Sequence, residues 1–319
     1  MVCAKQELRE KIERLKKEKR VVILAHYYTN AEVQEVADFV GDSLALSQKA
    51  ANIDADIILF AGVRFMAETA KVLSPEKKVL LPVMEAGCSL ADSCDAERLR
   101  RVREENPDHI VVSYVNTSVE VKALTDICCT SSNALDIVRS LPEEQKILFV
   151  PDRNLGSYIN KCTGRSMKLW DGACLVHERF SAEKIAALKA QHPKAVVLVH
   201  PECRPEVVAM ADYAGSTAGI LAYCERPEVE EVIVVTESGI LHEMTTRNPN
   251  KKFYLVEPEE GTEKCISCYD MKLISLDNIL ATLETESPEV VIEEEVRAKA
   301  EGAIRRMLSA GVKRLRSNV

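Results

Sequence analysis

Ala37-Asp38-Phe39-Val40-Gly41-Asp42-Ser43, Thr125-Asp126-Ile127-Cys128-Cys129-Thr130-Ser131 and Ala211-Asp212-Tyr213-Ala214-Gly215-Ser216-Thr217 are variants of one phrase, and its recurrence decides the fold. The aspartates stand 88 and 86 residues apart (38 to 126, 126 to 212). Apolar runs follow at a similar step: Ile57-Ile58-Leu59-Phe60, Ile147-Leu148-Phe149-Val150 and Val232-Ile233-Val234-Val235. After each comes a further strand-like stretch and then a cysteine, at Cys88, Cys174 and Cys268. Self-similarity at a fixed period marks a repeat architecture. Three equivalent loops meeting at a pseudo-threefold axis would bring one thiolate each to a common point.

Working outward, each repeat reads strand, helix, strand, helix, strand, helix, strand. Val21-Val22-Ile23-Leu24-Ala25 is a continuous apolar run, as expected for a strand buried on both faces of a parallel sheet. Asn30 is placed to cap the next helix, in which Val33, Val36, Ala37 and Val40 keep helical spacing. The second unit runs from Ile110-Val111-Val112 to Met167-Lys168-Leu169-Trp170, and the third from Val196-Val197-Leu198-Val199 to Phe253-Tyr254-Leu255-Val256. Strands alternating with helices predict an α/β fold of three repeated α/β/α sandwich domains, with parallel sheets around a pseudo-threefold axis. The expected boundaries are 1–104, 105–190 and 191–270, with C-terminal helices packing on the repeats over 271–319. In that last segment Leu273, Leu276, Leu280 and Leu283 form an apolar stripe.

The 319 residues suit two or three modest domains rather than one minimal core. A net charge of −8 argues against a nucleic-acid binder, and Lys16-Lys17-Glu18-Lys19-Arg20 reads as the solvated face of a first helix. The charged amino terminus lacks an apolar signal core, and no apolar run approaches the ~20 residues that span a bilayer, so a cytoplasmic protein is expected. Eleven irregularly spaced cysteines do not resemble a disulfide framework. Cys128, Cys129, Cys203 and Cys224 lie in or beside apolar segments and read as small buried hydrophobes, while Cys3, Cys94 and Cys162 have no evident partner.

Functional groups in such folds collect at the carboxyl ends of strands. First strands are followed by His26-Tyr27-Tyr28, Tyr114-Val115-Asn116 and His200-Pro201-Glu202. Second strands are followed by Ser43, Ser131 and Ser216-Thr217, each expected at a helix start, where a hydroxyl and free N–H groups favour phosphate or carboxylate. A lone serine there would be a helix cap; three in register point to an anion site. His26, Tyr28, His200 and Glu202 could transfer protons. Three repeat-related thiolates suit an iron–sulfur cluster held by three irons with the fourth open. Zinc is the natural competitor, although a paired C-x-x-C signature is absent. Cys265-Ile266-Ser267-Cys268 could supply a fourth thiolate or a redox dithiol.

The chain resembles the quinolinate synthase family over nearly its whole length. The resemblance is carried by Ala25-His26-Tyr27-Tyr28, Asp38-Phe39-Val40-Gly41-Asp42-Ser43, Tyr114-Val115-Asn116, Pro151-Asp152-Arg153-Asn154-Leu155-Gly156, His200-Pro201-Glu202-Cys203 and Gly215-Ser216-Thr217. It implies condensation of iminoaspartate with dihydroxyacetone phosphate to quinolinate, with loss of phosphate and water. It also implies a [4Fe–4S] cluster on Cys88, Cys174 and Cys268 whose open iron is a Lewis acid. Tyr28 would be an acid–base residue acting with His26, His200 and Glu202. Ser43, Tyr114, Asn116, Ser131, Ser216 and Thr217, together with His26, His200 and Glu202, would hold the substrates. An aspartate oxidase or dehydrogenase would supply the imine. There are two departures. Tyr27 stands where some members have Asn, and Cys265 lies where some carry extra cysteines proposed to form a disulfide switch. Tyr269-Asp270-Met271-Lys272 after Cys268 favours Cys268 as the ligand. The rival readings are a zinc-dependent lyase built on His200, Glu202 and thiolates, and a non-catalytic iron–sulfur redox sensor.

Overall fold

In the computed structural model, residues 2–256 and 267–316 are described, with side chains over 5–256 and 267–310. Cys265 and the side chain of Cys3 lie outside them. Three parallel four-stranded sheets repeat one topology. The first contains β1 (Val21–His26), β2 (Phe39–Gly41), β3 (Ile57–Ala61) and β4 (Lys78–Leu80), in the order β2-β1-β3-β4. The second contains β5 (His109–Tyr114), β6 (Ile127–Cys129), β7 (Lys146–Val150) and β8 (Lys168–Leu169), in the order β6-β5-β7-β8. The third contains β9 (Val196–Val199), β10 (Tyr213–Ala214), β11 (Glu231–Val235) and β12 (Lys252–Leu255), in the order β10-β9-β11-β12.

The repeated aspartate explains why the phrase recurs. Asp38, Asp126 and Asp212 stand just before the second strand of their repeats, and each carboxylate accepts one backbone N–H from the first strand: Ile23, Val111 and Val197, all at 2.8 Å. A side chain thus fixes where the second strand joins the sheet. Alternation along the strands then distributes the core. In β11, Val232 and Val234 enter one apolar cluster, while Ile233 and Val235 enter another on the opposite face. Both clusters, the first of which also takes in Tyr27 of the first repeat, are separate from a larger core shared by the first repeat, one face of the second sheet and the C-terminal helices. In the helix Glu294–Arg316, Ala300, Ala303, Ile304 and Met307 form the stripe that enters this shared core. Among the described residues no helix is long and apolar enough to cross a membrane.

Three local expectations are corrected. Asn30 occupies the N-cap of Ala31–Val36 but makes no capping bond; its amide donates to the carbonyls of Lys272 and Ile274, which dock the C-terminal segment. Ser131 is not at a helix start, because a turn over 131–133 intervenes before the helix Ala134–Ser140. Ser43 does open the helix Ser43–Ala51, but the cap is Asp42, whose carboxylate accepts the Ala45 N–H at 2.9 Å.

Candidate active site

The carboxyl ends of all three sheets face one cavity. From the first repeat come His26 and Tyr28 after β1, Ser43 after β2 and Cys88 after β4. The second contributes Tyr114, Asn116, Ser131 and Cys174, and the third His200, Glu202 and Thr217, with Cys268 beyond β12. Ser216 alone of the expected residues does not line it, since its hydroxyl caps the helix Thr217–Cys224 through the Gly219 N–H at 3.1 Å.

The three cysteines share more than a position in the repeat. Cys88 and Cys268 are the N-caps of the short helices Ser89–Asp92 and Tyr269–Lys272, and Cys174 precedes the turn His177–Arg179. In each case the backbone N–H three residues on, from Ala91, His177 or Met271, faces the sulfur and favours the thiolate. Burial outweighs it. The Cys88 thiol is pushed up to about 12, Cys268 to about 11, and Cys174 well above the ordinary range. Left alone these are protonated thiols; a metal cation is the partner that would make them thiolates. Cys94, Cys128, Cys129, Cys203 and Cys224 are buried apart from this cavity, and Cys162 is exposed.

The titratable groups at the cavity form two clusters. Tyr28 Oη lies 2.8 Å from both Thr217 Oγ1 and Thr236 Oγ1, which join strand ends of the first and third repeats. Burial raises the phenol well above its ordinary value, so it is a proton donor at neutral pH. The second cluster is Glu202 with His177 and His200, whose Nδ1 atoms lie 2.9 and 3.5 Å from its Oε2. Burial opposes the Glu202 charge, but His177 beside it, with hydrogen bonds from His177 and Tyr114, outweighs burial and holds the carboxyl below its usual value. Burial, outweighing the opposing charge of Glu202, lowers His26 and His200 to about 3. In the metal-free protein their imidazole ¹⁵N shifts are therefore expected to report neutral rings at about pH 5, where an ordinary histidine (pKa ~6.5) is charged. Protonated rings at that pH would contradict the burial argument.

Sequence reasoning missed His177, Thr236 and Glu237. His177 Nδ1 is 3.2 Å from Cys174 Sγ, and its Nε2 is 3.0 Å from Thr236 Oγ1. Its signal was the spacing Cys174-x-x-His177, a familiar metal-ligand interval. Glu237 follows the third strand of its repeat, and third-strand ends carry no repeated polar residue in the sequence. The anion-site expectation is qualified too: the buried Asp42 carboxylate borders Ser43 and accepts the Ser132 hydroxyl at 2.6 Å. Hydroxyls and amides, not a field of free N–H groups, would bind an anion here.

The donor set fits a metal. Ligand atoms of Cys174, His177 and Glu202 lie within 4.8 Å of one another, and the remaining two cysteines face the same cavity. Glu202 Oε1 and Asn116 Oδ1 are buried without a hydrogen-bond partner among the described residues, an arrangement that a bound ligand would complete.

The family model described as Quinolinate synthetase A protein matches residues 10–309. A quinolinate synthase of Trichodesmium erythraeum is 49% identical over 302 residues, 95% of this chain and 93% of that protein. One from Prochlorococcus marinus is 50% identical over 305 residues, covering 96% and 91%. One from Chloroherpeton thalassium is 50% identical over 302 residues, covering 95% and 94%.

Proposed function

The chain belongs to the quinolinate synthase family of condensing, dehydrating enzymes, and from that premise we propose that it joins iminoaspartate to dihydroxyacetone phosphate, releasing phosphate and water. The observation that carries the reading is the meeting of one half-buried cysteine per repeat with Tyr28, the histidines and Glu202 in a single cavity. We further propose that Cys88, Cys174 and Cys268 hold a [4Fe–4S] cluster, three soft donors suiting three irons. When bound, it supplies a Lewis-acidic iron without a protein ligand.

The chain's own residues do the rest. Ser43, Asn116, Ser131 and Thr217 bind the carboxylates and phosphate by hydrogen bonds worth about 1.5–3 kcal/mol each to charged groups. The Tyr114 phenol, kept protonated by burial, donates to the same oxygens. Ser216 serves Thr217 by fixing the helix start beneath it. Glu202, ionised, takes a proton from carbon or nitrogen, and neutral His26 and His200 relay it. Tyr28 Oη returns a proton to the departing hydroxyl, held toward the cavity by Thr217 and Thr236. An aspartate-oxidising enzyme would deliver the unstable imine, and a cytoplasmic location suits an oxygen-labile centre.

Anaerobic purification is the test. About four irons and four sulfides per chain, with quinolinate formed from the imine and the triose phosphate, are expected. Zinc in place of iron would overturn the cofactor. A loaded cluster without quinolinate would overturn the substrates.

A further inference from the structure

We propose that Glu237 and Lys272 form a positioning clasp that sets Cys268 against the other two cysteines and ties it to the backbone of Tyr28; this rests on Cys268 being a metal ligand. Glu237 follows β11 and is fully buried. Its Oε1 accepts the backbone N–H of Cys268 and the Lys272 ammonium, both at 3.0 Å, while Oε2 accepts the Gly239 N–H at 2.6 Å. Lys272 Nζ then donates to the Tyr28 carbonyl at 2.5 Å. One carboxylate thus links three things of different origin: a third-repeat strand end, the cysteine beyond it, and the loop carrying the phenol.

A blander reading makes this a helix cap with a salt bridge. Two observations argue against that. Burying a carboxylate and an ammonium is costly, and a buried pair contributes little net stability relative to apolar packing. More telling is the comparison between repeats. The position after the third strand is Val63 in the first repeat and Asp152 in the second, where the carboxylate caps its own helix through Leu155 N–H at 2.7 Å. In the third repeat the cysteine leaves its own sheet, because Cys268 and Met271 pack with the largest core and not with the two clusters on the third sheet. The clasp spans that seam. Its fit is tight: a Cβ at Gly239 would lie 2.7 Å from Tyr28 Cα and 2.8 Å from both Glu237 Oε2 and Lys272 Nζ.

The test uses the reconstituted full chain and follows iron release to a chelator by visible absorbance. Glu237→Gln keeps an acceptor but loses the charge, and Lys272→Met removes the partner from a side chain that is already part-exposed. Each should release iron about 10–100-fold faster than the parent, the range for residues that orient metal ligands. The double variant should be no faster than the faster single, since both remove one interaction. Circular dichroism and the thermal midpoint check folding, and Lys272→Met carries the test if Glu237→Gln does not fold. Parental release rates in both singles, with Cys268→Ser emptied of iron, would overturn the clasp. A full cluster in Cys268→Ser would remove the premise, and the inference with it.

Discussion

Cys174→Ser is expected to purify without its cluster and without detectable quinolinate formation. The serine hydroxyl is a harder donor that ionises far less readily than a thiol, and iron–sulfur centres select soft thiolates. Cys174 also has the most intimate setting of the three, with His177 at 3.2 Å from its sulfur and Glu202 beyond. Removing it leaves two thiols and an imidazole where three sulfurs stood. Iron should fall from about four per chain toward none, while Cys94→Ser and Cys224→Ser, on residues buried elsewhere, should keep the full complement. A brown, four-iron Cys174→Ser protein would show that the repeat relationship misleads about the ligands.

Tyr28→Phe should separate chemistry from metal binding. The ring remains, so its edge-on packing against His26, with centroids 4.6 Å apart, is retained. What disappears is the hydroxyl between Thr217 and Thr236. Its two lost hydrogen bonds cost about 0.5–1.5 kcal/mol each in stability, too little to unfold the protein. The effect on turnover is larger: a positioned acid contributes about 10²–10⁴-fold, and that factor should leave kcat with little change in KM. Iron content and absorbance should match the parent. Near-normal kcat would reduce Tyr28 to packing.

The sheets were legible because their determinants are local. Val21–His26 or Glu231–Val235 can be read from apolar runs alone, and the aspartate that pins each second strand repeats in sequence as it does in space. The strand-end rule then found Tyr28, His200 and Glu202 without knowledge of their contacts. It failed where a side chain's direction depends on neighbours from afar. Ser216 looked like Thr217 in sequence, yet an N-cap hydroxyl turns back on its own helix. Asn30 was drawn from capping by carbonyls more than 240 residues away. His177 sat beside a cysteine already singled out, but its role comes from Glu202 and Thr236, two strands of another repeat.

Most apolar residues of the third repeat pack in two clusters apart from the largest core, one of them joined to the first repeat at Tyr27. A unit with its own core can open as a cooperative block at a lower free energy than the whole molecule. Such opening would withdraw His200, Glu202 and Thr217 from the cavity, and it would also break the tie between Glu237 and the backbone N–H of Cys268, whose side chain packs against the shared core. Hydrogen exchange is therefore expected to be faster in β9 and β11 than in β1 and β3, and equal protection in the two sets of strands would contradict separate opening.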